Sequence, residues 1–176
     1  MTFADIPNQA AVKQLLRQSV QRQHVAHAQL FRGQEGGAAL ALALAYAQFL
    51  NCEDRAADAE DSCGHCPACT KTAKLAHPDL NFIVPVTTTK TVAKDAVSSK
   101  FMAEWRAFVL DNPYQGLNDW MQHIGAENKQ GKIREALLAI TNAGLTATVN
   151  GAPAGIDAAI STTDELGVRL GIFGRV

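Results

Sequence analysis

Apolar positions recur along this chain in two rhythms. Over residues 8–23 (NQAAVKQLLRQSVQRQ), Val12, Leu15, Leu16 and the pair Ser19–Val20 fall at helical spacing, and Asn8, just after Pro7, is suited to cap. That spacing predicts an amphipathic helix. Residues 27–32 (HAQLFR) form a short apolar run closed by Gly33, and residues 38–50 (AALALALAYAQFL) are a longer uncharged run of Ala and Leu. Together they predict a strand, a glycine loop and a buried helix. A second apolar run, Leu80 to Val86, follows His77-Pro78-Asp79 and predicts another strand, beside the first.

Residues 87–100 (TTTKTVAKDAVSSK) are polar and aperiodic, the texture of an exposed or mobile loop or of a mere linker. Phe101, Trp105, Phe108 and Val109 then recur at i, i+4, i+7 and i+8, and Asn112-Pro113 closes the pattern. A helix with one aromatic face is predicted there. A second short helix is predicted over 118–124, with Asn118 as cap and Trp120 and Ile124 turned inward. Aromatic residues so spaced read as core rather than as a cofactor platform. From about Gly131 the texture changes to Ala, Gly and Thr. Residues 133–143 are compatible with a helix, periodicity is weak beyond Gly144, and no internal repeat is found.

Composition narrows the function classes. Of 176 residues, 47% are hydrophobic and 19% charged, enough apolar matter for one soluble globular domain or a domain plus an appendage. Sixteen Lys plus Arg stand against 17 Asp plus Glu, so the basic surface that tight duplex binding requires is missing, and DNA contacts are expected to be indirect or shared with partners. No run reaches the length of a membrane span, and Met1-Thr2-Phe3-Ala4-Asp5 lacks the basic-then-apolar order of a secretory signal. The expected location is the cytoplasm.

All four cysteines lie between positions 52 and 69, as Cys52, Cys63, Cys66 and Cys69. Two residues between ligands let a tight turn aim both sulfurs at one ion, and Gly64 and Pro67 are residue types such turns favour. In a reducing compartment the C-x10-C-x2-C-x2-C spacing favours a structural zinc over a redox pair, which would use two cysteines opening a helix, and over unmetallated thiols. Four thiolates fill a tetrahedral shell, so such an ion would fold a loop and perform no chemistry. His65 and His77 are possible substitute ligands.

A phosphate-binding loop reads G-x-x-x-x-G-K-[ST] between a strand and a helix. Here Gly33-Gln34-Glu35-Gly36-Gly37-Ala38-Ala39-Leu40 has the setting without the side chains: Ala38 takes the place of the second motif glycine, Ala39 of the lysine and Leu40 of the hydroxyl residue. Without cation and metal-holding hydroxyl, hydrolysis is not expected. Gly33, Gly36 and Gly37 could form an amide nest with a weak hold on an anion, or a plain turn with no ligand.

Four pieces thus stand in fixed order: HAQLF, GQEGGAALALALAYAQFLNC, CGHCPAC and HPDL. That order resembles the clamp-loader family of the bacterial DNA polymerase III holoenzyme, and NPYQGLNDW and GAENKQGKI are similar to an insert of its delta-prime subunits of the Bacteroidetes type. The resemblance spans about residues 3–133. It implies an α/β architecture: a partial RecA-like P-loop (AAA+) lobe over 1–133, truncated at its C-terminus, with a zinc module at 51–72 and an insert at 87–130. It assigns zinc to the four cysteines.

Because motor subunits (gamma and tau) keep the lysine and threonine, the resemblance favours a delta-prime stator that supplies an arginine in trans. Its implied partners are gamma/tau and delta, with the sliding clamp and primed DNA reached through the complex. No activity is expected of the chain alone, although the complex belongs to a DNA-directed DNA polymerase. The alternatives are an ATP-hydrolysing motor subunit and a free-standing zinc module that binds protein or nucleic acid. Only two strands are found where a RecA-like lobe needs about five. The acidic strand end, the Ser-Arg-Cys motif, the sensor domain and the helical collar are not found, and residues 134–176 are expected to be a tail outside the lobe, from truncation or a frame change.

Overall fold

A run of ten consecutive buried residues, Leu40 to Phe49, forms the central pillar of the protein. The computed structural model describes residues 1–26 and 29–132, together with a short antiparallel strand pair, β1 (Thr148–Val149) and β2 (Ala152–Pro153). Five helices are described: α1 (Ala10–Gln21), α2 (Ala39–Asn51), α3 (Pro67–Ala73), α4 (Met102–Asp111) and α5 (Leu117–His123), with a 3-10 turn, Ser98–Phe101, leading into α4. The helix expected over 133–143 and the tail after 134 lie outside these residues, apart from the backbone of that strand pair.

α2 is apolar all round because it is covered all round. One flank, Leu40 and Leu44, joins a large cluster with Phe82, Val84, Val86, Phe101, Trp105, Phe108, Val109, Trp120 and Ile124. The other, with Ala41, Leu42, Ala45, Tyr46 and Phe49, packs on Phe3, Ile6 and Leu16. The aromatic face expected of α4 is fully buried, and Trp105 meets Trp120 of α5 edge-on, with ring centroids 5.1 Å apart. These rings are core.

α1 is covered on one side only. Leu16 is buried against α2 and Val20 packs beside it, whereas Leu15 is 67% exposed and Val12 lies at the surface. Its apolar positions span a wider arc than α2 can cover. Two expected caps are replaced. Asn8 and Gln9 both take left-handed backbone, and Gln9, which makes no side-chain cap, precedes α1. Gly116 precedes α5, its amide donating to the Asp119 carboxylate at 2.8 Å, while Asn118 lies inside the helix.

The two expected strands do not form a sheet among the described residues. Residues 29–32 take no regular secondary structure, and His27 and Ala28 are outside the described residues. Leu80 to Val86 does alternate as a strand should, with Phe82, Val84 and Val86 buried and Asn81 exposed. Its backbone bonds go elsewhere. The Val84 amide donates to Ser98 Oγ at 3.0 Å and the Ser98 hydroxyl donates to the Val84 carbonyl at 3.2 Å. The Pro85 carbonyl accepts from Trp120 Nε1 at 2.7 Å. Val86 forms one isolated antiparallel bridge with Lys132. Alternation marks which face is buried; a ladder needs a neighbouring strand, and side chains have taken that place here.

The segment 87–100 is a folded connection, not the exposed linker its composition predicts. Thr89, Ala96 and Ser98 are buried, and a turn closes between the Thr89 amide and the Val92 carbonyl at 3.0 Å.

Candidate functional site

The four cysteines are brought together by the ends of two helices. Cys52 ends α2, its backbone leaving the helix in an extended conformation. The chain returns so that the Cys63 amide donates to Cys52 Sγ at 3.3 Å. Gly64 then takes φ +76°, a left-handed conformation that costs glycine nothing. Pro67 opens α3 at the first helical position, where its missing N–H is harmless, and Cys66 caps that helix. The Cys66 sulfur accepts the Cys69 amide at 3.4 Å, as the Cys63 sulfur accepts the Cys66 amide at 3.3 Å.

The sulfurs all lie within 4.8 Å of one another, and Cys63 Sγ and Cys69 Sγ are 3.8 Å apart. That exceeds the roughly 2.05 Å of a disulfide. It fits four thiolates around one ion, since tetrahedral bonds of about 2.3 Å set neighbouring sulfurs about 3.8 Å apart. Cys66 and Cys69 are buried and the other two half-buried, so the shell is closed on one side by protein. Four soft donors so arranged could bind a metal ion.

Local electrostatics divide the thiols. The Cys69 amide pulls the Cys66 thiol down to about 6, against a burial effect in the other direction. Burial pushes the thiols of Cys69 and Cys52 up.

Of the two histidines considered as substitutes, neither joins the four-sulfur shell. His65 lies at its exposed rim, Nδ1 bonding to the Cys63 carbonyl at 2.8 Å and Nε2 to Asp54 Oδ2 at 3.2 Å, and these contacts raise its pKa, the carbonyl first. Asp54, Cys63 and His65 form a second, overlapping group of donors. His77 instead accepts the Asp79 amide at 3.2 Å, in neither group.

The glycine loop bends tightly onto the start of α2. The Gly37 amide donates to the Gln34 carbonyl at 2.9 Å, and a Cβ on Gly37 would lie 2.8 Å from that oxygen. A Cβ on Gly33 would lie 3.1 Å from Ala39 Cβ. Gly33 and Gly36 are exposed, Gly37 half-buried, and Gly36 takes φ +76°. In the first turn of α2, Leu40 is a buried core side chain. The loop is a turn leading into a helix, and one of its amides is already used internally.

A family model described as DNA polymerase III, delta subunit, matches residues 8–146, well over half of the chain. The chain belongs to that family. As a DNA polymerase III delta-family chain it is a clamp-loader-type subunit, with a role in the DNA polymerase III clamp-loader complex and interactions with other subunits of that complex. The family match runs past residue 133 to 146. Comparisons with curated proteins and with solved structures gave no match. Among the described residues no helix is long and apolar enough to cross a membrane.

Several groups around the delta-family chain's cysteine loop carry no sequence signal. Asp61 accepts the amides of Phe3 and Ala4, at 3.1 and 2.8 Å, tying the loop to the N-terminal segment. Gln48 of α2 donates to Ser62 Oγ at 2.9 Å inside the protein. Arg55 Nη1 bonds the Phe49 carbonyl at 2.7 Å, and its guanidinium lies 4.4 Å from the Phe49 ring centroid. That contact satisfies one of the carbonyls a helix end leaves open. Only the cysteines could be read in advance, because their chemistry lies in residue type and spacing.

Proposed function

We propose that this chain is a delta-prime-type, non-hydrolysing scaffold subunit of the DNA polymerase III clamp loader, held in shape by a structural zinc and not by nucleotide. On this reading residues 1–133 are the partial RecA-like (AAA+) lobe, 51–72 its zinc module and 87–130 its insert. Cys52, Cys63, Cys66 and Cys69 hold the zinc. The bound ion neutralises the thiolates and stabilises the loop between α2 and α3, and no open position is left for water or substrate.

The observation that carries the scaffold reading is the start of α2. A motor needs a lysine on the outer phosphates and a hydroxyl on magnesium; Ala39 supplies no charge, and Leu40 is buried among apolar side chains. Restoring the motif would take a cation at one position and a polar group in the core at the other. Gly33, Gly36 and Gly37 retain the glycine pattern, with the Gly37 amide turned to the Gln34 carbonyl.

The test is reconstitution. The purified chain is expected to carry one zinc per molecule, to hydrolyse no ATP above background, and to join motor subunits in a complex whose ATPase and clamp loading depend on it. Magnesium-dependent ATP turnover by the chain alone would overturn the scaffold reading, and elemental analysis without zinc would overturn the metal assignment.

A further inference from the structure

The glycine loop leans on a corner of the chain some 80 positions away. Gly116 is buried, and a Cβ placed on it would lie 2.1 Å from Glu35 Oε1 and 2.7 Å from Glu35 Cδ. The Glu35 side chain therefore fills the volume that any side chain at 116 would need. One residue on, a Cβ on Gly36 would lie 3.9 Å from the Tyr114 carbonyl oxygen. Tyr114 in turn packs against the cluster between α1 and α2, so the corner is fixed on both sides.

The groups gathered at the loop tip are acceptors: the Glu35 carboxylate, the Tyr114 carbonyl and the Gln34 carbonyl, which already holds the Gly37 amide. A phosphate requires convergent donors, and it would meet a carboxylate and carbonyl oxygens on this side. Turning a loop of this kind into an ordered structure costs conformational entropy that a bound nucleotide offsets in a motor. Here the 114–116 corner, from a distant part of the chain, meets the tip.

We propose that the glycine loop is a socket for the chain's own corner at residues 114–116, with Glu35 as its latch, and that this internal contact orders the loop in the place of a nucleotide. The proposal deepens the nucleotide-free reading above and rests on it. Gly116 gives the exposed Glu35 side chain its seat, so a Cβ at 116 would push that side chain away, and the latch joins the insert to the start of α2.

Amide hydrogen exchange on the full chain tests this, comparing wild type with Glu35→Ala, Gly116→Ala and the double variant; Glu35 is exposed, so its removal leaves the core intact. Either single change is expected to speed exchange several-fold at both Gly37 and Gly116, with the amides of Cys63, Cys66 and Cys69 unchanged. The double variant should be no faster than the faster single one, because both changes break one contact. If Glu35→Ala leaves Gly116 at the wild-type rate, or Gly116→Ala leaves Gly37 there, the latch does not exist, while the scaffold reading is untouched. Protection of residues 33–38 by millimolar MgATP in wild type would overturn the socket and the nucleotide-free reading together.

Discussion

Cys66 serves two purposes, and its substitutions separate them. Its sulfur is one of the four donors and also caps α3. Cys66→Ser and Cys66→Ala should both abolish stoichiometric metal in elemental analysis. In chelated protein, where only the cap differs, the serine variant should be the more stable by about 1 kcal/mol in thermal unfolding; equal stabilities would show that the cap contributes nothing. At the rim, Asp54→Asn should lower the His65 pKa in an NMR titration without bringing it to its ordinary value, because the Cys63 carbonyl still bonds the ring. A raised pKa means the fold favours protonated His65. That contribution is complete below the unfolded value of about 6.5 and disappears as pH rises through the folded one. The cysteines were legible because a thiolate is a ligand wherever four converge. Asp61, Gln48 and Arg55 were not, since each acts through partners that spacing along the chain does not reveal.

Four of the five described helices were legible as elements, their ends were not, and α3, capped by Cys66 inside the cysteine segment, was not expected. The 3.6-residue rhythm located α1 and α4, an inward pair with a candidate cap located α5, and the uncharged run of α2 correctly meant a buried helix. Caps depended on local bonds that several neighbouring residues could make, so Gly116 with Asp119 displaced Asn118. The run at 80–86 shows the limit of period-two reading: the buried face was right, and among the described residues the expected sheet does not form, because pairing is a property of two segments. Ser98 stands in for the missing neighbour at Val84. Ser98→Ala would leave a buried amide without its acceptor and is expected to destabilise the protein by about 1–3 kcal/mol, read from chemical denaturation. A loss below a few tenths would mean that Val84 finds another partner.

For the molecule as a whole, the cysteine cluster and the aromatic cluster are separate bodies of packing. The chain has two tryptophans, Trp105 and Trp120, and both lie in the aromatic cluster. Chelation should therefore expose the 52–69 loop to proteolysis and leave tryptophan emission at its buried wavelength. A red shift on chelation would show that the ion stabilises the core as well as its own loop. The sequence could not reveal this division, because α2 feeds the aromatic cluster through Leu40 and Leu44 and leads straight into Cys52, so the two bodies separate only in three dimensions. The hydroxyl of Ser98 has a further consequence. A run as apolar as Leu80 to Val86 with vacant rungs would invite a second molecule to add its own strand and seed a fibril. With Val84 engaged by a side chain, Val86 by Lys132 and Pro85 offering no N–H, an incoming strand must first break existing bonds. Ser98, together with Lys132 and Pro85, is thereby expected to keep this run from templating polymerisation.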